Sequence, residues 1–161
     1  AAYLILRSML KKDQALRRTE IIMNNQKIIT PSRLQAYERI ILFLERISPD
    51  SLLVRVRQSN MSSRQLQSAL LTTIRKEYEH NLSQQIYMSP EAWSHLKNAK
   101  ENLTQLINVA AMRLKPEAPA MKLSTAIIEM HSKAEEQPLE NAIGFIKKEI
   151  NNFMDTRNNF Y

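Results

Sequence analysis

Glycine is nearly missing from this 161-residue chain, and cysteine is missing altogether. Ordinary soluble chains carry roughly 7% glycine, so about eleven are expected at this length; there is one, Gly144. Phosphate-cradling loops, dinucleotide-binding turns and nucleophile elbows all need glycine, where backbone must approach a ligand closely or adopt positive φ. None of them can be written around one glycine between Ile143 and Phe145. Tight hairpins lean on glycine too, which argues against a sheet-rich fold. Without cysteine there is no disulfide framework, no thiolate metal site and no thiol nucleophile. Aromatic residues are also scarce, at 6%.

Basic residues are abundant but unevenly placed. Residues 1–33 hold seven (Arg7, Lys11, Lys12, Arg17, Arg18, Lys27, Arg33) against Asp13 and Glu20, a net +5. The remaining 128 residues hold sixteen basic and fourteen acidic groups. The overall charge of +7 therefore belongs mainly to one end of an otherwise near-neutral chain.

Proline punctuates the rest. Ser48-Pro49, Ser89-Pro90 and Gln137-Pro138 read as helix starts, the first two with serine as N-cap. Pro31 breaks or kinks a long first helix, and Lys115 to Pro119 is a stop and linker. Ser62 and Gln65 have capping-box spacing. Between these marks the apolar spacing is helical. Leu66, Leu70, Ile74, Tyr78 and Leu82 line a helix over 62–84; Trp93, Leu96, Leu103, Ile107, Ala110 and Leu114 line one over 90–114. Leu123, Ile127 and Met130 mark a short helix, and Leu139, Ile143, Ile146, Ile150 and Phe153 the last. Gly144 within that last pattern signals close approach by a neighbouring helix. Leu52 to Arg57 alternates like a strand but has no partner strand, so a short helix after Pro49 fits better.

Tyr37, Ile40, Ile41, Phe43, Leu44 and Ile47 cover a broad arc of the segment 34–47, and Leu42 falls on the other side, among Glu38, Arg39, Glu45 and Arg46. The pattern predicts a central helix buried nearly all round. The competing expectation is that Leu42 contacts a second chain. The eight methionines are scattered, as expected of gap-fillers in a core.

Residues 1–6, AAYLIL, are apolar and are followed at once by the basic cluster. Six residues cannot cross a bilayer, which takes roughly 20. Yet an apolar block followed by dense Lys/Arg is the order expected where a membrane helix emerges into the cytoplasm. The competing readings are a frayed amphipathic helix start, and an interfacial amphipathic helix or nucleic-acid-binding arm. Met9, Leu16 and Met23 then recur every seven residues beside Ala15, Ile22 and Ile29, while Lys12, Thr19 and Gln26 occupy the second heptad position. One narrow stripe does not make a coiled coil. A stalk of roughly 39 Å from Leu4 to Ile29 fits better.

The histidines offer little chemistry. Glu77 and His80 have the Glu-x-x-His spacing of bundle di-metal sites, but no second copy exists. Glu91 and His95 stand as an i, i+4 pair, and His131 lies near a helix C-terminus. Arg55, Arg57, Arg64, Arg75 and Lys76 read as a solvated, salt-bridged face rather than a nucleic-acid surface, with Glu77 and Glu79 adjacent. No catalytic residue, metal ligand or cofactor site is expected.

At LQAYERIILFLERISP (34–49) and IRKEYEHNLSQQIYMSPEAW (74–93) the chain resembles an uncharacterised family of small bacterial all-helical proteins. The resemblance spans most of residues 30–155 and brings no assigned activity. It implies a hydrophobic N-terminal segment, a basic stalk and a helical body.

The resulting expectation is an all-α, bundle-like domain of five to six helices. Residues 1–30 form a basic stalk, 31–155 a single helical domain and 156–161 a frayed tail. The expected role is non-enzymatic: a cytoplasmic scaffold or accessory module at the inner membrane, anchored through a segment upstream of Ala1 and belonging to a membrane protein complex. Arg7, Lys11, Lys12, Arg17 and Arg18 would face the membrane surface, with Leu42 as the candidate partner contact. The alternative is a soluble RNA- or ribosome-associated protein using the basic arm. An enzyme built on Glu77 and His80 is a third.

Overall fold

A computed structural model describes residues 9, 11–17 and 30–158. The fold is all-α, as the periodicity predicts. Residues 11–17 are helical. After Thr30 follow α1 (Pro31–Ile47), α2 (Pro49–Val56), α3 (Ser63–Asn81), a 3-10 turn (Leu82–Tyr87), α4 (Pro90–Met112), α5 (Ala120–Lys133) and α6 (Pro138–Asn158).

The starts have local causes. Thr30 is extended (φ −72°, ψ 153°), its side chain accepts from the Arg33 N–H at 3.2 Å, and Pro31 fills the first turn. Whatever precedes it, the helix begins anew at Pro31. Ser62 and Gln65 form the expected capping box: the Ser62 hydroxyl accepts from the Gln65 N–H and the Gln65 side chain accepts from the Ser62 N–H. Ser89 accepts from the Ala92 N–H. Ser48 departs from expectation. Its hydroxyl donates back to the Glu45 carbonyl at 2.8 Å and caps nothing in α2. The break between α1 and α2 is so short that the end of α1 takes the hydroxyl.

The core draws on every helix from α1 onward. Ile40, Phe43, Leu44 and Ile47 meet Leu66, Leu70 and Ile74 of α3, Leu96, Leu103 and Ile107 of α4, Leu123 and Ile127 of α5, and Ile146 of α6. Helix α4 packs on α3, α5 and α6, and α1 on α2, α3, α6 and the 3-10 turn. Tyr37 is fully buried; its hydroxyl donates to Glu149 at 3.0 Å and accepts from the Ser89 N–H at 3.2 Å, tying α1 to α6 and to the start of α4. The linker after α4 is held against the start of α3. The Ser63 N–H donates to the Ala118 carbonyl at 2.7 Å, the Arg64 N–H to the Pro116 carbonyl and the Ala120 N–H to the Met61 carbonyl.

Four expectations are corrected. Gly144 is exposed, and a Cβ there would meet nothing within 4 Å, so no helix approaches it. Leu82 is 37% exposed, because the α-helix tightens into a 3-10 turn there and swings it off the buried face. The methionines are not chiefly core: Met88 is buried and Met61 and Met130 pack on the core, but Met9, Met112, Met121 and Met154 are exposed. Helix α1 is not buried all round, since Leu42 is 59% exposed. Among the described residues nothing covers the face that carries Leu42.

Candidate functional site

Three helices converge on one carboxylate. Glu77 of α3 is 17% exposed at its side chain and receives Arg46 of α1 in a two-point contact, Nε to Oε2 at 3.0 Å and Nη2 to Oε1 at 2.9 Å. Arg55 of α2 donates to Oε1 at 2.7 Å and, through Nη2, to the Arg46 carbonyl at 2.8 Å. Burial works to raise the Glu77 carboxyl, but the hydrogen bonds and charges of the two guanidiniums outweigh it and hold it below its ordinary value. The hydrogen bond and charge of Glu77 in turn raise Arg46. Glu77 is thus committed to an ion-pair network. It is not poised as a metal ligand with His80, and no group of three or more potential ligands assembles among the described residues.

This network floors a cleft between α1 and α3 of about 460 Å³. Arg39 and Arg46 line it from α1, and Lys76, Glu77 and His80 from α3, with Leu42 at the α1 edge. Arg39, Lys76 and His80 make no ion pair or side-chain hydrogen bond among the described residues. Positive charge therefore exceeds negative in the cleft. Phe43 underlies it, and Tyr78 and then Trp93 continue the row of rings, with successive centroids 6.2 and 5.9 Å apart. Burial, with the charge of Glu101, pushes the Tyr78 hydroxyl up, and Lys100 lies over its ring at 4.3 Å.

The other histidines serve packing. His95 stacks on Phe145 at 4.3 Å and forms no ion pair with Glu91 among the described residues. His131 stands 3.5 Å from Glu140, across the α5–α6 junction. The supposed basic face divides: Arg55 turns to Glu77, and Arg57 donates to the Met121 sulfur.

Lys11, Lys12 and Arg17 of the N-terminal cluster do not line this cleft. Residues 9 and 11–17 are all exposed, Lys11, Lys12 and Arg17 among them, and of these three only Arg17 forms an ion pair among the described residues, with Asp13 at 3.5 Å. Arg7, Arg18, the apolar residues 1–6 and Met23 lie outside the described residues. No described helix is long and apolar enough to cross a membrane. The tripartite Glu77 network was hidden from sequence reading, since its members stand 22 and 31 residues apart. The one available signal was Leu42 among alternating charges.

No curated protein and no solved structure matches the chain. A family model does match residues 1–153, and the chain belongs to the family of unknown function DUF7935.

Proposed function

We propose that this protein is a non-enzymatic accessory or scaffold module that works at an anionic membrane surface, the cytoplasmic face of a bacterial inner membrane. Its basic N-terminal segment meets the lipid, and its helical body meets a protein of a larger assembly. The observation that carries this reading is the helical segment 11–17, in which every residue is exposed and Lys11, Lys12 and Arg17 face a single acidic residue, Asp13. Charge left outside a folded body is available to an external surface. Each Lys or Arg near an anionic bilayer contributes about 1 kcal/mol. The apolar residues 1–6 ahead of the cluster and the resemblance to helical proteins with a membrane segment support the same reading.

Flotation with vesicles containing phosphatidylglycerol, against vesicles of phosphatidylcholine alone, tests it. Binding to the anionic vesicles is expected to weaken on the order of a hundredfold when Lys11, Lys12 and Arg17 are all changed to Gln, and to weaken as salt is raised. Equal partitioning of the triple variant removes the proposal. Salt-dependent RNA binding without vesicle partitioning transfers the arm to the alternative role, an RNA- or ribosome-associated protein.

A further inference from the structure

We infer that the α1–α3 cleft is the protein-docking site of the body, and that its occupant is an acidic amphipathic helix from a partner protein. The inference rests on the reading of the body as a partner-binding module but not on the membrane role of the N-terminal segment. Charge is the first argument. Arg39 and Lys76 line the cleft without a counter-ion among the described residues, with His80 beside them, and its one lining carboxylate, Glu77, is already saturated by Arg46 and Arg55. Carboxylates would complete the vacant pairs of Arg39 and Lys76 and accept a hydrogen bond from His80.

Spacing is the second. Lys76 and His80 are one turn apart on α3, roughly 6 Å along its axis, and Arg39 lines the cleft from α1. A partner helix with carboxylates at successive turns along one face presents the matching ladder. Leu42 is the third argument. It is 59% exposed at the edge of the charged cleft, where a phosphate or other small anion has no use for it, but the apolar stripe of an amphipathic helix does. The Glu77 network gives the cleft a fixed floor, because it bolts α1, α2 and α3 together before any partner arrives.

The probe is a fluorescein-labelled helical peptide with glutamates at i, i+4 and i+7 and leucines at i+3 and i+10, tested against the full chain by fluorescence anisotropy. A peptide with the same residues in scrambled order and one with lysine replacing glutamate serve as controls. Binding is expected for the acidic amphipathic peptide at least about tenfold tighter than for either control. Arg39→Glu combined with Lys76→Glu is expected to weaken it by about tenfold or more, and Leu42→Ser by a few-fold. Circular dichroism and urea midpoints check that both variants fold; all three side chains lie outside the core.

No binding, equal binding of the scrambled peptide, or undiminished binding by the double variant overturns the inference. So does a chain that dimerises through this cleft, seen as a halving of molecular mass in Leu42→Ser by light scattering. If vesicle flotation by the basic segment persists while the peptide fails, only the docking inference falls. If the peptide binds while flotation fails, only the membrane reading falls.

Discussion

The helical segment 11–17 and helix α1 both set basic residues beside leucine, Lys11, Lys12 and Arg17 around Leu16 and Arg39 and Arg46 around Leu42, yet Arg46 and the N-terminal charges are used in opposite ways. In α1 the apolar arc closes against three other helices, and Arg46 is spent within the molecule, clamped to Glu77 beside Arg55. In 11–17 every side chain is exposed, and the single internal pair, Asp13 with Arg17, joins two groups that are 65% and 76% exposed. A pair so open contributes little to stability. The difference teaches that basicity in this chain has two meanings: internal wiring at Arg46 and Arg55, and charge presented to the surroundings in the N-terminal segment and at Arg39 and Lys76 of the cleft.

The comparison breaks most visibly in the core. Phe43→Ala is expected to cost about 3–5 kcal/mol in urea unfolding, since Phe43 is 2% exposed, while Leu16→Ala should stay within about 0.5 kcal/mol of the parent chain. Next comes the internal wiring. Glu77→Gln leaves two guanidiniums without their carboxylate and should cost about 1–2 kcal/mol near neutral pH, less than a fully buried pair because Arg46 is half exposed. Its pH dependence carries the sign. Glu77 is held below its ordinary 4.5 when folded, so its contribution is complete above that value and drains away as pH falls through the lower folded one. The stability curves of parent and Glu77→Gln should therefore converge in acid.

The caps give a smaller contrast. Ser62→Ala removes half of a capping box and should lower stability by about 1 kcal/mol, whereas Ser48→Ala, which removes no cap, should lower it by less than half as much in the same thermal melts. The smallest effect has the opposite sign. Gly144→Ala places a methyl in open space within α6 and should raise stability by about 0.5–1 kcal/mol.

Much of this architecture was legible in the sequence because its signals are local. Pro31, Pro49, Pro90 and Pro138 each open a helix, and Leu66, Leu70 and Ile74 repeat with the period that buries them. A helical period identifies the greasy side of an element but not how many neighbours will cover it, so the arc around Leu42 was overestimated. Glycine in a helix has two causes, and only the packed structure distinguishes a close approach from an idle surface position. Ser48 looked like Ser89 in sequence, but its fate depended on the turn before it. The cleft was the least legible feature, because Arg46, Arg55 and Glu77 come from three helices whose angles no periodicity encodes.

The strap between the linker after α4 and the start of α3 bears on how the chain acquires its structure. The first amides of a helix have no partners within it. Those of Ser63 and Arg64 find theirs on Ala118 and Pro116, more than fifty residues downstream, and the return bond from Ala120 to Met61 opens α5. Neither helix can complete its beginning alone. A ribosome releasing this chain would present α3 with two unpartnered amides until α4 and the linker had emerged, so these bonds tie the start of α3 to the start of α5. Slow exchange of the Ser63, Arg64 and Ala120 amides with deuterium would then rise and fall together.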